Sequence, residues 1–485
     1  MRFNFFKNKS KEKSESANTS DITRSALKKK SKGELIDIIL SLAEQLKSLE
    51  DKISKLSKNS SNSSKPPSSD ITNPKGNKNS SGRKRTRGAQ KGHQGTMRNP
   101  FTKEEVDKVE NLAVMSECPD CHDFVFENPD NKPKIQQVAE LVENPIYITE
   151  YIRSAFWCAR CDKIHYAPLP EGVIENQLFG ARLQALVGYM KGTLHCSYSG
   201  IQEILKDVFK ISVCRGLLCN TIRRINEAIE TPYNQLHEHI KTAKTLFIDE
   251  SGWKDNGARY WAWVFATKLV SFFTIEKSRG SIVLKEILGD IFKGAIVSDF
   301  FSAYIKYANA AQQFCLAHLI RDIKFLITLN NPLEQWFGKK LIVQFRLLFH
   351  LWHLKEKVPK KKYKNYMNRI TNKIENILSN STMPPHTAKL AKRFNKRWDS
   401  IFRFIFNNDL EPTNNIAERA IRALVLDRKV TQGSRSLMGR QWNARIWTVL
   451  SSCKKQNRSS WQFIVDSIRA FHFDQPYPSL IPVAI

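Results

Sequence analysis

The chain has 485 residues, with 77 Lys and Arg against 47 Asp and Glu, a net charge of +30 and a pI near 9.7. This length exceeds one ordinary hydrophobic core and predicts roughly two to four domains, and so large a positive excess points to a polyanionic partner, most simply nucleic acid. No run reaches about 18 uninterrupted apolar residues, which argues against a spanning helix, and MRFNFFKNKS lacks the apolar core of a secretory signal. Nine cysteines with no such signal predict a reducing, cytoplasmic setting with thiols used for metal or core, not for disulfides.

Residues 1–30 read as a disordered basic tail. From 31 to 57, Leu35, Leu42, Leu49 and Leu56 recur every seven residues, and Ile39, Leu46 and Ile53 repeat at the same period. This seam predicts a short coiled coil that pairs protomers into a homodimer or higher oligomer. Residues 58–104 form a linker, first Ser/Asn-rich and then basic without an acid. Its Arg83, Lys84, Arg85, Arg87 and Lys91 alternate with glycine, a composition suited to following DNA phosphates.

Residues 105–174 carry Cys118-Pro-Asp-Cys121 and Cys158-Ala-Arg-Cys161. Two such knuckles suit one closed, structural Zn²⁺ site, and Ile146 to Arg153 between them reads as a ribbon strand. Residues 175–243 are helical. A short helix from Ile201, a turn at 211–215 and a second helix bearing Arg215, Arg223 and Arg224 have the spacing of a DNA-binding helix-turn-helix. Two packed core helices would give the same pattern.

Residues 244–470 begin as mixed α/β, with strands expected near 245–250, 259–267, 269–276 and 294–298 and helices at 280–290 and 301–311. The first strand ends on Asp249 and the fourth on Asp299. An all-helical stretch of about 320–405 follows, and residues 337–403 hold 17 Lys/Arg against three acids. Asn414, an N-cap candidate with Thr413, then opens a helix bearing Glu418. Arg419, Arg422, Arg428, Lys429 and Arg435 follow as a basic surface suited to a phosphate backbone. Residues 471–485 form a C-terminal tail.

Two strand-end aspartates and a helical glutamate suit a two-metal phosphoryl-transfer site, because Mg²⁺ (or Mn²⁺) takes a few carboxylates and leaves positions for water and phosphate. Glu411 is a rival third ligand, Glu250 is expected to face away from Asp249 by strand alternation, and Cys315 and His318 read as core residues. The fold class expected is multidomain α+β.

The stretches GRKRTRGAQKGHQG, CPDC with CARC, DESGWKDNGARYWAWVFAT, AIVSDFFSAY, FCLAHLIRD and PTNNIAERAIRALVLDRKVTQGSRS, in this order, resemble transposases of the insertion-sequence 66 family. The resemblance implies an RNase H-like DDE catalytic domain with a helical insertion, and Mg²⁺-dependent strand cleavage and strand transfer at transposon ends. It also implies accessory proteins encoded by the same element. It places the catalytic triad on Asp249, Asp299 and Glu418 and the zinc ligands on Cys118, Cys121, Cys158 and Cys161. Ser251 stands where threonine is common. A non-catalytic DNA-binding regulator and a related endonuclease are the alternatives.

Overall fold

The structure, a computed structural model, describes residues 27–28, 30–56, 58–59, 62–63, 99–110, 117–126, 134–143, 145–307, 310–380 and 382–482. The chain folds as two compact units, Met1–Lys78 with Leu316–Ile405 and Asn79–Cys315 with Phe406–Ile485. Among the described residues no helix is long and apolar enough to cross a membrane.

The first unit opens with α1 (Lys32–Leu56). Ser31 and Glu34 cap it reciprocally: the Glu34 N–H donates to Ser31 Oγ at 3.3 Å, and the Ser31 N–H donates to Glu34 Oε2 at 2.8 Å. Of the heptad positions, Ile39, Leu46, Leu49, Ile53 and Leu56 are exposed, and Leu35 and Leu42 are half-buried. The apolar seam of this 25-residue helix is thus largely uncovered.

The second unit begins with two cysteine turns. Glu117 bridges Phe124 around Cys118 and Cys121. β1 (Ala155–Cys158) and β2 (Lys163–Tyr166) form an antiparallel hairpin around Cys158 and Cys161, closed by Asp162 at φ 50°. The strand expected from Ile146 to Arg153 is not formed. Among the described residues its alternating pattern has no partner strand, and the ladder starts at Ala155, where the turn allows pairing. Four helices follow: α2 (Ala181–Gly192), α3 (Tyr198–Asp207), α4 (Arg215–Ala228) and α5 (Glu230–Ile240). Ser197 Oγ caps α3 by accepting the Gly200 N–H at 3.0 Å.

A five-stranded sheet comes next. Its strands are β3 (Thr245–Asp255), β4 (Ala258–Ala266), β5 (Ser271–Glu276), β6 (Ala295–Ser298) and β7 (Ala311–Phe314), in the spatial order β5-β4-β3-β6-β7. β3, β4 and β5 pair antiparallel, and β3, β6 and β7 run parallel. α6 (Ser281–Leu288) and α7 (Ser302–Lys306) are the connectors. Leu246, Phe247 and Ile248 and all of β6 are buried, so the two central strands are apolar on both faces. β3 runs past the acids to Asp255, because Asn256 and Gly257 adopt positive φ and close a hairpin onto β4. The helix expected over 301–311 stops at Lys306, and Ala311 already opens β7. Its AQQF sequence has little strand character, and parallel pairing with β6 imposes the conformation.

The chain then returns to the first unit as α8 (Leu316–Thr328), α9 (Pro332–His353), α10 (Lys360–Leu378) and α11 (Pro385–Phe402), the expected all-helical insertion. Buried Glu334 accepts the His386 and Thr387 N–H groups at 3.0 and 3.1 Å and caps α11 from α9.

Back in the second unit lie α12 (Asn415–Thr431), α13 (Leu437–Lys455) and α14 (Ser460–Phe473). α13 covers the β5 edge. Thr448 Oγ1 and Ser452 Oγ, one turn apart, accept the Phe273 and Ser271 N–H groups, each at 3.0 Å. Arg445 of α13 donates to the Asn226 carbonyl of α4 at 2.9 Å, and a Cβ on Gly192 of α2 would stand 2.6 Å from Ile446. The helices before the sheet therefore share its core.

Candidate active site

The sheet register sets two acids side by side. Phe247 pairs with Val297 across the parallel β3–β6 ladder, and Asp249 and Asp299 each come two residues later. The Asp299 carboxylate accepts the Phe301 N–H at 2.9 Å, which turns the chain into α7. Asp249 keeps some exposed surface, but protein atoms crowd its carboxyl and leave it poorly hydrated. Burial first, and then the charges of Glu250, Asp299 and Glu418, hold its pKa well above the ordinary aspartate value. Glu418 on the first turn of α12 thus belongs to the same cluster. Its Oε1 is buried and has no hydrogen-bond partner.

What brings α12 to the strand is Asn414, a residue from which a sequence reading expects only a cap. It does sit at the N-cap position, but its side chain makes no cap bond. It is 1% exposed. Its Nδ2 donates to the Ile248 carbonyl at 2.8 Å, and its own N–H meets Cys315 Sγ at 3.2 Å. Its carbonyl accepts the Glu418 N–H at 3.0 Å. One residue therefore ties the turn bearing Glu418 to the strand bearing Asp249. Its Oδ1 is a second buried acceptor without a partner. Glu411, the rival ligand, is half-buried in the loop before Pro412.

Glu250 does not point into solvent. Its side chain is 2% exposed and is held by two groups that spacing alone does not reveal. Arg279 donates Nε and Nη2 to Oε1 at 3.0 and 2.8 Å, and the Tyr304 hydroxyl donates to Oε2. Asp249, crowded by acids and poorly hydrated, and Glu418, with one oxygen left without a partner, are groups that could hold a hard divalent cation.

A family model described as Transposase IS66 family matches residues 176–441, more than half of the chain. The chain belongs to that family. A second model, described as a family of unknown function, matches residues 10–99. No curated protein matches the chain at a significant level. The transposase match spans the helices before the sheet, the sheet, the insertion and α12, and so includes all three clustered acids.

The remaining candidate positions fall at several places in this IS66-family chain. Arg419, Arg422, Lys429 and Arg435 are exposed along and just after α12. Arg428 turns inward: its Nη1 donates to Ser251 Oγ at 3.0 Å and to the Gly252 carbonyl, bracing α12 against β3. The loop that follows is fastened to the β3–β4 hairpin. Trp253 Nε1 donates to Ser434 Oγ at 3.0 Å, that hydroxyl reaches Asp255 Oδ1 at 2.7 Å, and Arg440 pairs with Asp255 Oδ2 at 2.6 Å. On α4, Arg215 and Arg223 are exposed and Arg224 is half-buried, while Leu218, Ile222 and Ile225 enter the core. α4 is therefore a core helix with one basic exposed edge. Arg83, Lys84, Arg85, Arg87 and Lys91 lie outside the described residues.

Each CxxC turn forms locally. N–H groups of Cys121 and Asp120 lower the Cys118 pKa, and those of Cys161 and Arg160 do the same for Cys158. Either turn therefore favours the thiolate a metal needs. Among the described residues the two pairs do not meet in one cluster of ligand atoms.

Proposed function

We propose that the chain is a DNA transposase that binds the ends of its element and cleaves and transfers strands at the Asp249–Asp299–Glu418 cluster. The observation that carries this reading is the convergence of three acids from β3, the end of β6 and α12, with Asp249 repelled by its neighbours and Glu418 Oε1 left without a partner. The strand order, with three antiparallel strands followed by two parallel ones, supports an RNase H-like description. Two Mg²⁺ bound there would lower the pKa of the attacking water or 3′-hydroxyl and stabilise the leaving oxygen. Asp249, Asp299 and Glu418 would hold the ions, and Asn414 and Arg428 would keep the helix and strand in register. Arg419, Arg422, Lys429 and Arg435 would track the substrate backbone, with the basic linker and the α4 edge adding contacts along the duplex. The α1 seam would pair protomers so that two ends meet. Zn²⁺ on Cys118, Cys121, Cys158 and Cys161 would join the two cysteine turns into one small domain.

The test is cleavage of a labelled duplex carrying the terminal repeats that flank the gene, wild type against Asp299→Asn, in Mg²⁺ and in EDTA. Metal-dependent nicking at the repeat boundary, lost in the variant while end binding persists, is expected. End binding that ignores Mg²⁺, with no nick even when the element's neighbouring reading frames are supplied, would favour a DNA-binding regulator.

A further inference from the structure

Arg279 occupies the loop between β5 and α6, next to the acid cluster but outside it. The loop is pinned, since Trp263 Nε1 donates to the Ser278 carbonyl at 3.2 Å and the Gly280 N–H donates to Ser278 Oγ at 2.9 Å. The guanidinium lies 4.4 Å from the Trp261 ring centre and 3.9 Å from that of Phe301. Phe301 belongs to the turn that Asp299 begins. Both nitrogens bound to Glu250 lie on one edge of the fork, and Nη1 has no protein partner among the described residues. The pair is lopsided: Glu250 is 2% exposed and Arg279 is 40% exposed.

A buried carboxylate beside two other acids is a costly way to hold a strand together, and an apolar side chain at 250 would be cheaper. The arrangement makes better sense as a mount. Glu250 takes one edge of the fork, Tyr304 keeps Glu250 in place, and two rings fix the plane, so a weakly hydrated cation is presented at the surface with its free edge ready for an anion. Resting on the transposase reading, we infer that Arg279 is a substrate contact that binds a DNA phosphate beside the scissile position. Glu250 is its positioning residue and not a metal ligand.

Arg279→Gln, Arg279→Lys and the double variant Glu250→Gln/Arg279→Gln separate this from simple charge compensation. The readouts are end-duplex affinity against NaCl concentration and the KM and kcat of Mg²⁺-dependent cleavage. Loss of one phosphate contact should flatten the slope of log K against log salt by about 0.9 in both Gln variants, with KM rising about tenfold. Arg279→Lys should keep the slope and lose part of the KM. If Arg279 only neutralises Glu250, the double variant regains the wild-type slope and KM, which overturns the inference and leaves the transposase reading intact. A wild-type chain with neither salt-dependent end binding nor metal-dependent cleavage overturns both. The double variant removes the two charges together and keeps an acceptor for Tyr304, so misfolding of Arg279→Gln alone does not close the test.

Discussion

Replacing Asn414 by Ala tests whether the geometry of the acid cluster depends on one buried amide. The side chain donates to the Ile248 carbonyl at 2.8 Å, immediately before Asp249, and is 1% exposed. Truncation leaves that carbonyl buried without its donor, a loss of about 1–3 kcal/mol. For a unit of this size the melting temperature should fall only a few degrees, roughly 2–4 °C per kcal/mol or less. The effect on chemistry should be disproportionate. Glu418 lies one turn on, its N–H bonded to the Asn414 carbonyl. When the tie to β3 is cut, the first turn of α12 is free to drift, and a displacement of about 1 Å in a catalytic group can cost about 100-fold. Cleavage of the end duplex should therefore fall by about that factor, with a higher Mg²⁺ half-saturation and unchanged end affinity. Asn414→Asp, nearly the same size, should be as poor, because it sets an acceptor against the carbonyl and adds charge beside Asp249. If Asn414→Ala melts a few degrees lower but cleaves within twofold of wild type at the same Mg²⁺ dependence, Asn414 is packing alone and the reasoning fails.

Asp249→Asn should raise the metal-free melting temperature at pH 8. The folded pKa of Asp249 lies above its ordinary value of 3.8, so the group's contribution is full below that value and is lost as pH rises through the folded one. Asn has no such loss. Mg²⁺ should stabilise wild type and not the variant, and a variant that melts below wild type in EDTA would contradict this. Gly433→Ala should cost about 3 kcal/mol, because Gly433 sits at φ +129° and its Cβ would lie 2.2 Å from the Lys254 carbonyl oxygen. Hydrogen exchange should then show the 431–436 loop released from the β3–β4 hairpin. Alkylation of the native protein should modify Cys118, Cys121, Cys158 and Cys161 and spare Cys453, whose thiol burial pushes up to about 11. Zn²⁺ should slow modification of those four together, and slowing of only one pair would argue against a shared site.

The parts of this architecture that were legible in the sequence rest on local pattern. The α1 seam repeats within one helix, the strand-end acids follow short apolar runs, and the insertion announces itself as a long basic helical stretch. What was illegible depends on partners far along the chain. β7 is a strand because β6 lies beside it, whereas Ile146 to Arg153 has no ladder partner among the described residues. Glu250 finds its arginine 29 residues away, and Asn414 reaches Ile248 at a separation of 166. Arg428 looks like any exposed cation in a basic helix until the fold aims it at Ser251. The signal for Asn414 was its place in front of Glu418, but cap statistics direct attention to its own helix and not to a strand.

Asp249 and Glu250 are neighbours on one strand and have opposite electrostatic fates, which is what assigns them different work. Glu250, buried at 2% exposure, receives two nitrogens of a guanidinium and a phenol, so the protein itself supplies the cation it needs. Asp249 receives one backbone N–H, at 3.0 Å from Glu250, and is repelled by three acids. The fold invests rigid ties around Asp249, through Asn414 and Arg428, yet among the described residues no cationic side chain bonds to it. A scaffold that fixes repelling carboxylates at short range is stable only to the extent that something else neutralises them. An agent that binds several oxygens at once, carries more than one positive charge and leaves room for substrate would meet that need, and the divalent ion proposed above fits this description better than Lys or Arg. The two neighbours therefore sit in different fields: Glu250 has its cation in Arg279, while Asp249, two residues past the Phe247–Val297 pair as Asp299 is, suits the metal-ligand role proposed above.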